Sequence, residues 1–146
     1  MSVDVETRTV IERPIDVVYT FASDPTNASD WYANIARVEW KSEPPARVGS
    51  VVAFEAQFLG RTLRYDYEIA ELVACERLVM RTSQGPFPMR TTYTWQSLGP
   101  NSTEMTLRND GDPAGFSRFV TPMMSIAMRR ANRKDLAKLK AVLESM

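Results

Sequence analysis

Residues 121–146 read TPMMSIAMRRANRKDLAKLKAVLESM, and the placement of their apolar side chains decides the fold. At about 100° per residue, Met124, Met128, Ala131, Leu136, Leu139, Val142 and Leu143 share one arc of a helix, and Arg129, Arg130, Arg133, Lys134 and Lys140 fall on the other side. Pro122 stands at the start of that helix or at a joint between a short turn and the main helix, where a proline is tolerated. So apolar an arc needs a surface to lie on. The preceding chain offers one, because from Val48 to Arg108 side chains alternate as they do along strands. Leu63, Tyr65, Tyr67 and Ile69, for example, alternate with Arg64, Asp66 and Glu68. The change of period falls at the Asp110–Gly115 breaker cluster.

Outward from this switch, turn signals cut the alternating region into strands in series. Val51–Leu59 is followed by a hairpin turn at Gly60 and a strand over Thr62–Val73. A short strand spans 77–82, Gly85 and Pro86 turn, Phe87–Gln96 returns, Gly99–Ser102 turn, and Thr103–Asn109 closes the set. At the other end, Val3, Val5, Thr7, Thr9 and Ile11 alternate with charged residues as in a half-buried strand. Pro14 then opens a helix with a Val17, Val18, Phe21 and Ala22 stripe that stops at Asp24 and Pro25. A second short helix is predicted toward Trp31 and Tyr32, and a weak strand over 35–41 that ends at Pro44 and Pro45. Strands in series followed by one long amphipathic helix predict an α+β domain with an antiparallel sheet.

At 146 residues and 44% hydrophobic composition the chain is one domain, 1–146, able to bury roughly 68 to 70% of its extended surface without a disulfide or metal. Its 18 basic and 18 acidic residues cancel, which argues against nucleic acid as a partner. The cancellation hides a gradient: residues 1–76 carry 13 acids and 7 bases, and residues 77–146 carry 5 acids and 11 bases. With no histidine, the relays and metal sites that depend on imidazole are excluded. Cys75, the single cysteine, forms no internal disulfide or thiolate cage, and it stands at a strand–turn boundary as an inert thiol. No stretch approaches the ~18 apolar residues of a membrane span, and MSVDVETRTV places acids where a signal peptide needs an apolar run. A cytoplasmic protein without cofactor or metal, monomer or homodimer, is the expectation.

The order strand, two short helices, six-strand meander and long C-terminal helix resembles the helix-grip fold of the START-related SRPBCC superfamily, and specifically its polyketide cyclase/dehydrase-like branch. Ile11, Pro14, Val18, Tyr19, Asp24, Asn27 and Trp31 are similar to that branch's opening pattern. Gly49, Tyr67–Ile69, Pro86, Phe87, Tyr93 and the closing Leu136, Leu139, Lys140, Leu143 and Glu144 extend the likeness over nearly the whole chain. The resemblance implies a curved antiparallel sheet of about seven strands wrapped on the C-terminal helix, with a cavity between them. It implies no shared catalytic residue, since members include lipid carriers, hormone receptors and cyclases.

The lining expected for such a cavity comes from the apolar phase of the sheet and the helix arc: Phe54, Phe58, Tyr65, Tyr67, Met80, Met89, Tyr93, Trp95, Met105, Leu107, Met124 and Met128. The same side chains are also what a solid core requires. Asn132 and Asp135 fall within the helix's apolar arc, so Asn132 is a candidate for binding a carbonyl oxygen. Asp135 is either a carboxylate raised by burial for acid–base work or a partner of Lys138 or a strand arginine. Tyr65, Tyr67 and Tyr93 are further proton-transfer candidates, provided that a phenol is shifted down. Glu55, Gln57, Arg90, Thr92 and Thr94 are expected on the outer face, and Asn109, Asp110 and Asp112 as turn residues rather than a calcium loop, which would need a closing glutamate.

The leading expectation is binding or transport of a hydrophobic small molecule of lipid, polyketide or steroid-like class. An alternative is a cyclase or dehydratase acting on an enclosed substrate without histidine or metal. A third is an interaction module that uses the basic face formed by Arg129, Arg130, Arg133, Lys134, Lys138 and Lys140.

Overall fold

The computed structural model describes residues 3–58, 60–84, 89–111 and 121–146. Strand β1 (Val3–Ile11) is followed by α1 (Ile15–Ala22), a 3-10 turn at Pro25–Asn27, and α2 (Ala28–Trp31). Six strands come next: β2 (Ile35–Trp40), β3 (Val51–Phe58), β4 (Arg61–Val73), β5 (Arg77–Gln84), β6 (Met89–Gly99) and β7 (Ser102–Gly111). The chain ends in the 24-residue helix α3 (Thr121–Glu144). The predicted elements are all present among the described residues, with β7 running two residues beyond Asn109. The predicted turn at Gly85 and Pro86, the start at Phe87, and Asp112 lie outside the described residues, as do the side chains of Phe58 and Met124.

All seven strands form one antiparallel sheet in the order β1-β7-β6-β5-β4-β3-β2. The first strand closes against the last, so β2 through β7 meander and β1 pairs along its whole length with β7, from Val3 opposite Gly111 to Ile11 opposite Thr103. Gly60 makes the β3–β4 hairpin with φ +74°, a left-handed conformation that glycine adopts without a Cβ clash. Gly49, at φ +93°, does the same where its N–H donates to the Ile69 carbonyl at 2.8 Å. Register slips at Ile35/Arg37, Asp66/Tyr67 and Ile69/Glu71 mark bulges, the local device by which a sheet bends.

Helix α3 lies against the inner face with Met128, Asn132, Asp135, Leu136, Leu139 and Leu143 buried. Its C-terminal end is fastened to β1. The Glu12 N–H donates to Glu144 Oε2 at 2.8 Å and Arg13 Nε donates to the Leu143 carbonyl at 2.7 Å. Lys140, expected to face solvent, is half-buried and donates from Nζ to the Val10 carbonyl at 2.6 Å and to Glu144 at 2.7 Å. Cations at this end also complement the helix dipole. No described helix is long and apolar enough to cross a membrane.

The core divides according to where the helices lie. Trp31, Trp95, Met105 and Leu107 pack with Leu136, Leu139, Leu143, Val18 and Ala22, where α1 and the last turns of α3 fill the sheet's concavity. A smaller cluster joins Val5, Leu63, Tyr65, Met89 and Met128 toward the start of α3. The space between these clusters holds the candidate site.

Candidate functional site

A half-open cavity of about 140 Å³ lies between the sheet and the middle of α3. The sheet contributes Phe54, Ala56 and Gln57 from β3, and Leu63, Tyr65 and Tyr67 from β4. Met80, Met89, Thr91, Tyr93 and Asn109 come from β5 to β7. Tyr32, Asn34 and Ile35 enter from the α2–β2 link, and α3 contributes Met128, Ala131, Asn132 and Asp135. Every lining strand residue named except Gln57 belongs to an inward phase; Gln57 is exposed and sits at the rim.

Of the expected lining residues, the structure brings Phe54, Tyr65, Tyr67, Met80, Met89, Tyr93, Met128, Asn132 and Asp135 together. Trp95, Met105 and Leu107 do not line the cavity; they are buried in the packed core under α1 and the C-terminal turns of α3. Alternation along β6 puts Met89, Thr91, Tyr93 and Trp95 on one face, but α1 covers the end that carries Trp95, and its Tyr19 meets that indole edge-on at 5.1 Å. Gln57, expected outside, reaches the rim and donates to Thr62 Oγ1 at 2.7 Å. Glu55 stays on the outer side near Arg64, 3.7 Å away. Arg90 is exposed and pairs with Asp110, and Thr92 and Thr94 are half-buried on that side.

Asn109, predicted both to end the last strand and to serve the turn after it, lies within β7 opposite Thr91, is buried, and its Oδ1 accepts from the Thr91 hydroxyl at 2.6 Å. The turn expected at Asp110 is replaced by two further strand residues. The strand continues because Asp110 and Gly111 still find ladder partners in both β1 and β6, which outweighs the local turn preference of the Asn-Asp-Gly sequence. Tyr67, Thr91 and Asn109 line the same wall of the cavity, and Thr91 draws the Tyr67 phenol down against the effect of burial. Tyr32, which the sequence offered only as the end of a short helix, brings its hydroxyl to 2.6 Å from that of Tyr93. Burial raises all these phenols: Tyr67 to about 12, and Tyr32, Tyr65 and Tyr93 further above the ordinary range. They remain protonated at neutral pH and serve as hydrogen-bonding groups, which removes the downward-shifted tyrosine base expected for an enzyme.

Asp135 is 2% exposed, and its partner is neither Lys138 nor a strand arginine. The backbone N–H of Ala33 donates to Oδ1 at 3.0 Å, because α2 ends just before Tyr32 and leaves the following amide pointing at α3. Burial raises the carboxyl to about 6, while the Ala33 N–H, Lys134 and Lys138 draw it down. Asn132, one turn earlier, is 4% exposed and its Nδ2 has no hydrogen-bond partner. Three cavity groups therefore meet near the helix: a titratable carboxyl, an unpaired amide donor and a tyrosine hydroxyl pair.

Arg129, Arg130, Arg133, Lys134 and Lys138 are exposed on the outer side of α3, and no ion pair of theirs occurs among the described residues. Cys75 occupies a turn with φ 60°. Among the described residues no group of three or more acidic or cysteine side chains gathers to hold a metal. A wider groove of about 470 Å³ opens between α1 and the β2–β3 connection, lined in part by Asp24, Thr26, Trp40 and Pro45. Within it Asp24 accepts from the Thr26 N–H and Trp40 Nε1 donates to Thr26 Oγ1.

The sequence model of a family described as "Polyketide cyclase / dehydrase and lipid transport" matches residues 2–144. No curated protein matches the chain by sequence. Among solved structures, the ZhuI aromatase/cyclase of Streptomyces sp. R1128 superposes with a TM-score of 0.84 at 16% identity, covering 99% of this chain and 94% of that one. A START superfamily protein of Mycobacterium smegmatis gives 0.84 at 13% identity, with 97% of each chain covered. A protein of Thermus thermophilus gives 0.83 at 18% identity, again with 97% of each covered. At these identities the likeness is one of fold.

Proposed function

Given that the chain belongs to the polyketide cyclase / dehydrase and lipid transport family, we propose that it binds a hydrophobic small molecule in the cavity between sheet and α3. The observation that carries this reading is the lining itself, an aromatic and methionine wall interrupted by a few inward polar groups. That is the composition of small-molecule sites, where apolar area supplies affinity and sparse polar groups set orientation. The volume narrows the ligand. A closed cavity of about 150 Å³ holds one benzene-sized ring, so the enclosed part is a single ring or an equivalent length of chain, and a larger lipid, polyketide or steroid-like molecule extends through the mouth. Native mass spectrometry of freshly purified protein tests this. A retained mass that disappears on denaturation supports the reading, and uniformly ligand-free protein that also rejects small apolar probes overturns it.

A second reading, a cyclase or dehydratase, is favoured by one observation, the buried carboxyl of Asp135 poised at about 6 beside the Tyr32–Tyr93 hydroxyls. A general acid or base works best with its pKa near the working pH, and among the described titratable groups of the cavity Asp135 alone approaches that condition. In this reading it exchanges a proton with a bound substrate while the tyrosines donate hydrogen bonds. Recovery of the natural ligand chemically unchanged after long incubation counts against it.

A further inference from the structure

Three buried side-chain nitrogens among the described residues lack a hydrogen-bond partner: Trp31 Nε1, Trp95 Nε1 and Asn132 Nδ2. Both tryptophans belong to the packed core, where the indole ring fills space whether or not its N–H is satisfied. Asn132 is different. Its side chain is short, offers little apolar area, and lines the cavity from a helix face where leucine would fit the pattern of Leu136 and Leu139. An unpaired amide donor at such a position costs stability, since native structures satisfy the great majority of their buried polar atoms.

We propose that Asn132 is a specificity-determining contact, whose amide N–H donates to a carbonyl oxygen of the bound ligand, so that the cavity selects an apolar molecule bearing a ketone or similar carbonyl. The proposal rests on the ligand-binding reading above and names the chemical class within it. An amide donor needs an acceptor. A carbonyl supplies one without bringing a proton of its own, whereas a ligand hydroxyl adds a donor that must also be placed. The Thr91 hydroxyl donates to Asn109 and one phenol of the Tyr32–Tyr93 pair donates to the other, whereas Asn132 Nδ2 is the fully buried cavity-lining nitrogen without a partner among the described residues. Asp135 lies one helical turn further on, the spacing at which side chains on a helix are neighbours. A carbonyl held at Asn132 is therefore also within the carboxyl's surroundings. Selection follows from asymmetry: a hydrocarbon of the same shape leaves the amide unpaired, and the ketone satisfies it.

Acetophenone and α-methylstyrene make the test, because they differ only by an oxygen in place of a methylene group. Dissociation constants for both are measured on the wild-type chain, Asn132→Leu and Asn132→Ala by ligand-observed NMR. The hydrocarbon is the more readily expelled from water, so the informative quantity is the ratio of the two constants, hydrocarbon over ketone, compared between proteins. That ratio should fall about tenfold or more in both variants, the effect of one lost neutral hydrogen bond with its acceptor left buried. Asn132→Ala removes the amide while adding room, so a fall in the leucine variant alone reports crowding and overturns the inference. An unchanged ratio in both variants overturns it while leaving the cavity reading intact. Failure of the wild-type chain to bind either probe removes both.

Discussion

Replacing Asp135 by asparagine removes the titratable carboxyl that lines the cavity and leaves an oxygen that can still accept from the Ala33 N–H. Burial raises this carboxyl from 3.8 to about 6, so the folded state holds the proton more tightly than the unfolded chain does. The stabilisation from the neutral acid is fully present below pH 3.8 and is lost as the pH rises through about 6. A rise of about two units corresponds to about 3 kcal/mol, with about half already lost at pH 5 because the unfolded carboxyl has ionised by then. Asparagine carries no such dependence. Lys134 and Lys138 on its own helix draw the carboxyl down, and Tyr32 and Tyr93 across the cavity, both raised by burial, stay neutral between pH 5 and 8.

Urea denaturation of both proteins at several pH values isolates the effect, since every other titration cancels in the difference between them. The stability of the variant relative to wild type should grow by about 1.5 kcal/mol from pH 5 to pH 8. For a domain of this size that is a rise in relative melting midpoint of about 3–6 °C. A fixed cost from the new amide shifts both ends equally and leaves the slope untouched. A difference that stays flat between pH 5 and 8 would mean that Asp135 is held ionised by Lys134 and Lys138, and the burial argument would fail.

Leu139→Asp places an unpaired charge where the side chain is fully buried under α3, and should lower stability by about 3–5 kcal/mol, read from circular dichroism melts. Toluene should bind with an affinity nearly independent of salt, be excluded by Met128→Trp with the melting midpoint kept, and be unaffected by Arg129→Glu with Arg133→Glu; the opposite pattern by NMR titration would favour the basic face as the binding surface. Thr91→Val leaves the buried Asn109 oxygen without its hydroxyl partner and should cost about 1–3 kcal/mol in urea melts. If a turnover is found, Asp135→Asn should lower it ~100-fold or more with affinity kept within a few-fold, as expected for a lost general acid or base.

The periods of side-chain burial are local properties, and they were legible. Leu63, Tyr65 and Ile69 face inward from β4 because alternate residues of a strand must, and Leu136, Leu139 and Leu143 meet the sheet because three- and four-residue spacings share a helix face. The same helical spacing put Asn132 and Asp135 in the apolar arc from the sequence alone, since two polar residues there break a pattern that neighbouring leucines define. Chain order and periodicity therefore sufficed for the element order and for which face of each element is buried.

They were silent on what each buried face meets. Tyr93 and Trp95 share one face of one strand, yet Tyr93 borders the cavity and Trp95 lies in solid core, because α1 covers one end of the sheet and not the other. Asn109 stays in β7 because two neighbouring strands offer it a continuous ladder, and Asp135 finds the Ala33 amide, 102 residues away in the chain. Tyr32 joins the site through the angle at which α2 ends, and the unpaired state of Asn132 becomes visible only when every neighbour has been placed. Each of these depends on where one element crosses another, a quantity carried by long-range packing rather than by any run of residues. Which face of each strand and helix is buried was thus a matter of sequence, and which of the buried residues surround a space, Asn109 among them, was decided by the tertiary fold.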